Sequence, residues 1–466
     1  MPFERYREAV DYLQRRLWHE LPIVPIERAL QARIRTLLQH LGDPHLAFPV
    51  VHVGGSAGKG STAAITQSVL TAAGLRTGLY TSPHLQTFIE RIKVDDELIA
   101  PDAFADIVLG LDPLVRKMHL EVLDGVGYGR PALVEVAFAA GMRHFADAAC
   151  DAAVVEVGLG GRTDCTNVFA RKPVSVITNV DYEHRERLGW SLQAIAREKA
   201  AIVAGDEVFV TGARRPEVVP ILQARARERR ATFLRINADI RARVRCADAS
   251  GSVFDLRTPY GDFVGLRLPL EGAHQVTNAA LAVTAALAFA QHTGREVSAG
   301  AVREGLARVR LSGRLELMSE SPRVLLDAAH NPVEARRLAQ ALRDHELRPA
   351  GRRAPKLHLV VGILADKDQP MMVRALAPVA SRVVVTQPPL EERIGDPQHM
   401  LDLFRRALGA RNVAFEPSPA RALDRALESA SAHDVVCVTG SMFLVGALRA
   451  RWVPERHILA RRSALR

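Results

Sequence analysis

A glycine-rich segment with a single lysine, Val50 to Thr62, has the residue types of a phosphate-binding loop. The apolar run before it predicts a buried strand, and the run after it predicts a helix. N–H groups and the dipole at a helix N-terminus attract anions, and Lys59 adds a positive charge for a phosphate. The usual nucleotide-binding pattern has Ser or Thr directly after the lysine, whereas here Gly60 intervenes. A plain tight turn is the alternative, but the order of Gly58 and Ser61 around the lysine favours phosphate binding.

Polar residues also follow three further predicted strands, at Ser82, at Glu156 and at His184. Ligands bind at the carboxyl ends of parallel strands, so we expect these residues to lie around the loop. A hydroxyl, a carboxylate and an imidazole would suit Mg²⁺ beside a nucleotide. The alternatives are a buried Glu156 satisfied by neighbouring amides and a purely structural His184. The glycines in the segment 158–161 favour a backbone that approaches a ligand closely.

Two polar turns in the C-terminal part have two interpretations each. Asp327 to Pro332 could be a helix-capping turn or a substrate-facing loop, and Asp366 to Asp368 could be a solvated turn or such a loop. The sequence leaves both alternatives open.

Strands alternate with helices along most of the chain, which predicts an α/β fold with parallel sheets covered on both faces. Period-two alternation over Ser252–Leu268 predicts a β-hairpin beside the first sheet. We place a boundary near Leu311, so that residues 1–311 form a large domain and 312–466 a smaller one. The pattern of residues 1–48 predicts two amphipathic helices, separated by a break at Pro22 and Pro25. The basic tail, Pro454 to Arg466, is expected to fray.

Composition narrows the functional class. The 48% hydrophobic and 24% charged residues are typical of a soluble globular protein. The net charge of +10 comes from scattered basic residues without a clustered face, which argues against nucleic-acid binding and suits anionic small substrates. The four cysteines are far apart, so a reducing compartment is expected. No signal peptide is visible, and the most apolar stretch, 279–290, is too short to span a membrane, so we expect a cytoplasmic enzyme.

Taken together, the motifs resemble those of the folylpolyglutamate synthase/dihydrofolate synthase family, ATP-dependent amide-forming enzymes of the Mur ligase superfamily. The resemblance covers nearly the whole chain and keeps the family's order of motifs. The matching segments are Leu41–Pro44, Gly54–Thr62, Thr81–Leu85, Glu90-Arg91, Glu156–Asn167, His184, Leu188-Gly189, Ala196–Ala200, His274-Gln275, Asn278-Ala279, Gly313–Glu316, Asp327–Pro332, Asp366–Asp368 and Gly440-Ser441.

The resemblance implies an N-terminal P-loop ATPase domain of the Mur ligase type, with a mostly parallel sheet, and a smaller C-terminal Rossmann-like glutamate-ligase domain. It implies that ATP is bound by Gly58, Lys59, Gly60, Ser61, Thr62, Asn278, Arg314 and Asp327. It implies two Mg²⁺ ions held by Ser82, Glu156, His184 and a carbamylated Lys199. His330 would help form the glutamate site and act in catalysis with Lys59, His184 and Lys199. The pterin substrate would lie against Ala132, Glu135, Thr163, Asp164 and Cys165.

The implied reaction transfers the γ-phosphoryl group of ATP to a carboxylate, and the amine of L-glutamate attacks the acyl phosphate. The acceptor would be dihydropteroate, reduced folates or both, and the enzyme would act as a monomer on small molecules. The chain departs from the family pattern at Gly55–Ala57, at Glu183 and at 132–135. Because of the departure at 132–135, a Mur-type ligase with a different acceptor is a second interpretation. A regulatory nucleotide-binding homologue is the third reading, but Lys59, Glu156, His184 and Lys199 are all present.

Overall fold

The computed structural model describes residues 3–17, 26–123, 129–348, 354–390, 393 and 395–465. This part contains an eight-stranded, a three-stranded and a six-stranded sheet. The strands are β1 Val50–Gly54, β2 Thr77–Tyr80, β3 Ile92–Val94, β4 Glu97–Leu98, β5 Ala152–Glu156, β6 Val174–Ile177, β7 Val208–Thr211, β8 Thr232–Arg235, β9 Arg241–Asp248, β10 Gly251–Thr258, β11 Gly261–Leu268, β12 Glu316–Glu320, β13 Arg323–Leu326, β14 Leu357–Val361, β15 Arg382–Val385, β16 Val413–Phe415 and β17 Val435–Thr439.

Helices connect most of these strands, as the alternating pattern predicts. They are α1 Glu4–Asp11, α2 Ile26–His40, α3 Lys59–Ala72, α4 Pro101–Gly110, α5 Asp112–Leu123, α6 Leu133–Asp147, α7 Arg185–Leu188, α8 Leu192–Ala200, α9 Val219–Glu228, α10 Ala273–Thr293, α11 Ala299–Arg308, α12 Pro332–Ala341, α13 Gln369–Leu376, α14 Pro397–Leu408, α15 Pro419–Ser429, α16 Met442–Arg449 and α17 Glu455–Arg461.

The large sheet has the order β4-β3-β2-β5-β1-β6-β7-β8. Pairing is parallel from β2 to β8, whereas β3 and β4 form an antiparallel edge. The central strands β1 and β5 are buried along their whole length, as parallel strands with helices on both faces must be. Because β1, β2 and β5 are adjacent and parallel, the loops that follow them meet at one edge of the sheet.

The second α/β unit has the order β12-β13-β17-β14-β15-β16 and is parallel except for β12. The predicted α/β class with parallel-rich sheets is therefore confirmed. The division into residues 1–311 and 312–466 stays a prediction.

Helix α10 packs with α3 and α11 on one face of the large sheet, where Gly305 lets α11 approach α3 closely. A Cβ at Gly305 would lie 2.6 Å from the Cα of Val69. Among the described helices, α10 is the one long and apolar enough to cross a membrane, but most of it is buried in this core. The expectation that the most apolar stretch is too short to span a membrane was therefore wrong, because residues 279–290 are only part of a helix of 21 residues.

Several local predictions also differ from the structure. The hairpin β10–β11 is confirmed, but β9 joins it as a third strand. In β9, arginines alternate with Ala242, Val244 and Cys246, although the strand is almost wholly exposed. The apolar periodicity from Pro101 to Met118 predicts one helix, but the structure has two, α4 and α5. The tail forms α17, and Arg462 exchanges backbone and side-chain hydrogen bonds with Leu98 instead of fraying. The break at Pro22 and Pro25 lies outside the described residues.

Candidate active site

A cavity of about 420 Å³ lies between the strand ends of the large sheet and the loops of the second unit. The glycine-rich loop, Ser82, Glu156, His184 and Lys199 line it from one side. Arg314, His330, Glu334, Lys367 and Ser441 are among the residues that line it from the other. The geometry thus gathers all four residues that the sequence predicts to be catalytic in one place: Lys59, His184, Lys199 and His330.

The glycine-rich loop lines this cavity and is fixed in place by its neighbours. Gly58 has a φ of 84° and caps α3, and a Cβ there would lie 2.6 Å from Oδ1 of Asn278. Asn179 accepts a hydrogen bond from the Ala57 N–H at 2.9 Å, which pins the loop to the end of β6. Lys59 has no hydrogen bond or ion pair within the described part of the chain, so its ammonium is free for a ligand. Free N–H groups at a helix start beside an unpaired lysine form a site for a phosphate chain.

Glu156 and Ser82 meet at the end of β5. The backbone N–H of Ser82 donates to Oε2 of Glu156 at 3.2 Å, and Glu156 is only 6% exposed. Burial raises the pKa of Glu156 to about 7, although the Lys59 charge opposes the shift. A desolvated carboxylate that borders a cavity and has no bonded cation is suited to bind one, because a metal ion offsets the cost of burial.

His184 stands at the same rim with a left-handed backbone, φ 41°. Burial and the Lys367 charge lower the pKa of His184 to about 4, which keeps the imidazole neutral, as a metal ligand must be. Within the described residues, no group of three or more His, Cys, Asp and Glu side chains is placed to hold a metal. A metal site here would therefore need the Ser82 hydroxyl or another oxygen ligand as well.

Lys199 is buried and forms an ion pair with Glu183, a residue that the sequence analysis did not assign to the site. Its ammonium also donates to the carbonyl of Gly55 at 3.0 Å, which ties α8 to the glycine-rich loop. Burial lowers the pKa of Lys199, while the charge of Glu183 opposes that shift. The position of Glu183 next to His184 was the signal that could have identified it.

Three of the predicted ATP contacts share a second, smaller cleft of about 40 Å³, which Gly58 and Ser61 also line. Asn278, Arg314 and Asp327 all border it. A water needs about 10–15 Å³ by this measure, so the cleft holds about three waters and must widen to admit a nucleoside.

The carboxylate of Asp327 is held in place at this cleft. Its oxygens accept hydrogen bonds from the N–H groups of Leu315 and Ala329, both at 3.0 Å. Burial raises the pKa of Asp327 to about 6, although the Arg314 charge opposes the shift. Glu271, which the sequence analysis missed, also lines the cleft, and its Oε1 is buried without a partner.

His330 lies on the second unit's side of the main cavity. Its Nδ1 is 3.1 Å from the carbonyl oxygen of Ala328 and 3.2 Å from the carboxylate of Glu334. Burial alone would raise the pKa of Glu334, but the charges of His330 and Arg314 hold it at about 2. Glu334 is therefore an anion at the site, and its place four residues after His330 on α12 was the signal that could have revealed it.

The five residues predicted to contact the pterin do not line the main cavity: Ala132, Glu135, Thr163, Asp164 and Cys165. Glu135 is fully buried and paired with Arg33 at 3.1 Å, and it accepts a hydrogen bond from the N–H of Ala132 at 2.7 Å. Both of these contacts are made by Oε2, and Nε of Arg33 donates to Oε1 at 3.3 Å, so both oxygens of Glu135 are engaged in the fold itself. Pterin binding by this group stays a prediction.

Asp164 shapes the turn after β5 through a buried chain of hydrogen bonds. Its Oδ2 accepts from the N–H of Leu159 at 2.8 Å, and its Oδ1 accepts from the Thr166 hydroxyl at 2.5 Å. That hydroxyl lies 2.9 Å from Nε2 of His52, so His52 must donate from Nε2. The chain runs from the centre of β1 to the turn 158–161, part of which lines the cavity.

His52 makes stability pH-dependent. Burial lowers the pKa of His52 well below 6.5, and the Lys172 charge adds to the shift. The unfolded chain therefore binds a proton that the folded protein excludes, and this contribution to stability, present above pH 6.5, is lost as pH falls. Between pH 7 and 5, we expect the native protein to lose about 2 kcal/mol more of its unfolding free energy than His52→Asn. Urea unfolding at both pH values measures this difference; the same pH dependence in both proteins would contradict it.

Comparison with known protein families matches two segments of the chain. Residues 133–286 match the Mur ligase middle domain, and residues 313–442 match the Mur ligase glutamate ligase domain. The dihydrofolate synthase/folylpolyglutamate synthase of Mycobacterium tuberculosis is 36% identical to the chain, covering 94% of it and 92% of that relative.

Solved structures agree with this similarity. The M. tuberculosis folylpolyglutamate synthase (FPGS) in complex with ADP has a TM-score of 0.86 at 33% identity, covering 96% of this chain and 98% of that one. An FPGS complex with AMPPCP and folate has a TM-score of 0.81 at 30% identity, covering 96% and 99%. With this identity over almost its whole length, the chain belongs to the folylpolyglutamate synthase/dihydrofolate synthase family of the Mur ligase superfamily.

Proposed function

We propose that this protein is an ATP-dependent ligase that joins L-glutamate to the carboxylate of dihydropteroate, of reduced folyl-glutamates or of both, releasing ADP and phosphate. The observation that carries the proposal is the shared cavity, in which an unpaired Lys59 faces Arg314 and His330 from the second unit. Family membership and the FPGS complexes with ADP, AMPPCP and folate support the choice of nucleotide and acceptor.

Each side of the cavity has its own task in this reaction. The glycine-rich loop and Lys59 would bind the phosphates of ATP and offset the charge that develops on the transferred group. Asn278, Arg314 and Asp327 would hold the nucleoside in the smaller cleft. His330, oriented by Glu334, would help place the amine of glutamate against the activated carboxylate. Closing residues 312–466 onto 1–311 would exclude water, which otherwise hydrolyses an acyl phosphate.

Ser82, Glu156 and His184 would hold one Mg²⁺, which when bound supplies positive charge beside the phosphates. A second ion would need Lys199 as a carbamate. Burial favours the neutral amine of Lys199, the form that reacts with carbon dioxide. The resulting anion would lie against Glu183 and so would require a cation between them.

Glutamate-dependent ADP release tests the proposal. We expect turnover with ATP, Mg²⁺ and either dihydropteroate or tetrahydrofolate only when L-glutamate is present. EDTA should abolish this turnover, and excess Mg²⁺ should restore it. Product mass should rise by one glutamyl residue. Absence of glutamate-dependent turnover with both acceptors would reject the folate assignment.

A Mur-type ligase with a different carboxylate acceptor is the second candidate. The departure at 132–135 and the engagement of Glu135 by Arg33 favour it, since both alter the predicted pterin segment. In that case amino-acid-dependent ADP release would appear only with a non-folate acid. Under either candidate we propose a monomer that acts on small molecules in the cytoplasm.

A further inference from the structure

The main cavity extends past the phosphate loop to a lysine that neither the resemblance nor the predicted site includes. Lys93 lies on β3 opposite Leu79 of β2, and both residues line the cavity. Its side chain is partly accessible and has no hydrogen bond or ion pair within the described residues. Burial lowers the pKa of Lys93, while the nearby Asp96 and Asp95 charges oppose the shift. An enclosed ammonium without a partner is suited to an anionic ligand.

Lys93 and Arg310 are two cations that line the cavity, and the carboxylates of Asp95 and Asp96 lie near Lys93. Arg310, just before the second unit, also lines the cavity, and among the described residues its guanidinium donates only to the backbone carbonyls of Ala307 and Val309. The carboxylate of Asp95 is already used by the Thr71 hydroxyl and the Thr77 N–H. The exposed Asp96 also lines the cavity, and the two carboxylates together offset the two positive charges. What Lys93 offers a ligand is therefore an ammonium without a hydrogen-bond acceptor among the described residues, not a net positive field. Leucines line much of the remaining wall: Leu98, Leu311 and Leu465.

This end of the cavity is separate from the predicted pterin residues. Leu79 packs in the core cluster that contains Val69 of α3, whereas Cys165 packs in the cluster that contains Val136 of α6. Directly opposed residues of paired strands point to the same face, so Lys93 lies on the α3 face with Leu79. The pterin prediction concerns the other face of the sheet.

The spacing fits a glutamyl chain. Leu79 precedes Ser82 by three residues, which places it about 10 Å down the strand from the reacting centre. A γ-linked glutamyl unit has five chain atoms instead of the three of an α-linked residue, so it spans about 6 Å when extended. One or two such units therefore reach from Ser82 to the neighbourhood of Lys93.

We propose that Lys93 and Arg310 form a subsite for a carboxylate of a glutamyl group, either on the γ-glutamyl tail of the acceptor or on the incoming L-glutamate. The subsite rests on the proposed function and adds to it, because it gives the enzyme a means to distinguish acceptors by tail length. Its apolar walls hold the methylene groups of the glutamyl unit, and the two cations pair with its carboxylate.

Steady-state kinetics of Lys93→Met with mono- and tri-γ-glutamyl tetrahydropteroate tests this subsite. If the tail binds there, the ratio of kcat/KM for the longer over the shorter acceptor falls about tenfold, a loss of about 1.4 kcal/mol. If the incoming amino acid binds there, KM for L-glutamate rises about tenfold with both acceptors. Lys93→Arg should restore either effect, and high salt should shrink the difference between native and variant proteins. An unchanged ratio together with an unchanged KM for L-glutamate would overturn the proposal.

One control and one further variant make the result specific. Lys117→Met makes the same change at an exposed lysine outside the cavity and should alter neither constant. Arg310→Gln alters an exposed side chain and gives a second route if Lys93→Met does not fold. Calorimetric binding of a tri-γ-glutamate peptide to native protein and variants reports on the subsite without turnover. Failure of the native enzyme to turn over either folate acceptor would instead count against the proposed function.

Discussion

Replacing Lys59 by alanine is expected to lower kcat for glutamate-dependent ADP release by about a thousandfold or more. The transferred phosphoryl group accumulates charge on its oxygens, and catalysis of such transfers consists almost wholly of positioning and charge stabilisation. Lys59 begins the helix that follows the glycine-rich loop and is the cation of that loop, without a partner in the described structure. No other side chain of the loop can replace its charge.

The same substitution should leave the fold intact. Lys59 is partly exposed and forms no internal hydrogen bond or ion pair in the described residues, so the unfolding free energy should change by less than about 0.5 kcal/mol. Lys117→Ala, which removes an exposed lysine elsewhere, is the matched control and should retain full activity. Stopped or continuous ADP assays measure kcat, and urea unfolding measures stability. A Lys59→Ala enzyme with near-native kcat would show that the loop does not bind the transferred phosphate.

The gathering of the site could be predicted because it follows from strand order alone. Apolar runs identify β1, β2, β5 and β6, and parallel pairing then brings their polar C-terminal loops together. Lys59, Ser82, Glu156 and His184 all line one cavity for this reason. The pairing of Lys199 with Glu183 was not predictable in this way, because it depends on how α8 lies against the loop after β6.

Local patterns failed where tertiary contacts decide the structure. In the strand β9, arginines alternate with the small apolar residues Ala242, Val244 and Cys246, but the strand is almost wholly exposed and is held by pairing with β10. The tail after Pro454 is basic, yet α17 buries Ile458 and Leu459 against the core and is therefore ordered. The pairing of Glu135 with Arg33 could likewise not be predicted from local patterns, because Arg33 lies 102 residues away in the chain.

Arg449 joins parts of the chain that are far apart in sequence, and it is fully buried. Its guanidinium forms two hydrogen bonds of 2.8 Å with the carboxylate of Glu316 on β12. It also donates to the Gln86 side chain beyond β2 at 2.5 Å, to the Ala464 carbonyl of the tail at 2.6 Å and to the Ser312 hydroxyl at 3.2 Å. One side chain thus connects the large sheet, the segment between the two units, the second sheet and the tail.

Replacing Arg449 by methionine should therefore lower the unfolding free energy by about 3–5 kcal/mol, the cost of leaving one member of a buried ion pair without its partner. Within the described residues, the carboxylate of Glu316 would then accept only one hydrogen bond, from the N–H of Gly313 at 2.8 Å. Urea unfolding followed by circular dichroism gives the free energy, and limited proteolysis near residues 311–313 should speed up as the two units separate more often.

Arg451→Met is the matched control, because Arg451 lies two residues further along and pairs with Asp424 at 2.6 Å with both side chains about half exposed. Water screens that pair, so its loss should cost no more than about 1 kcal/mol. The double substitution Glu316→Leu with Arg449→Met separates charge from packing, since removing both partners of a buried pair is far less costly than removing one. If Arg449→Met is no less stable than Arg451→Met, apolar contacts such as those of Leu85 and Leu444 hold the two units together without the ionic cluster.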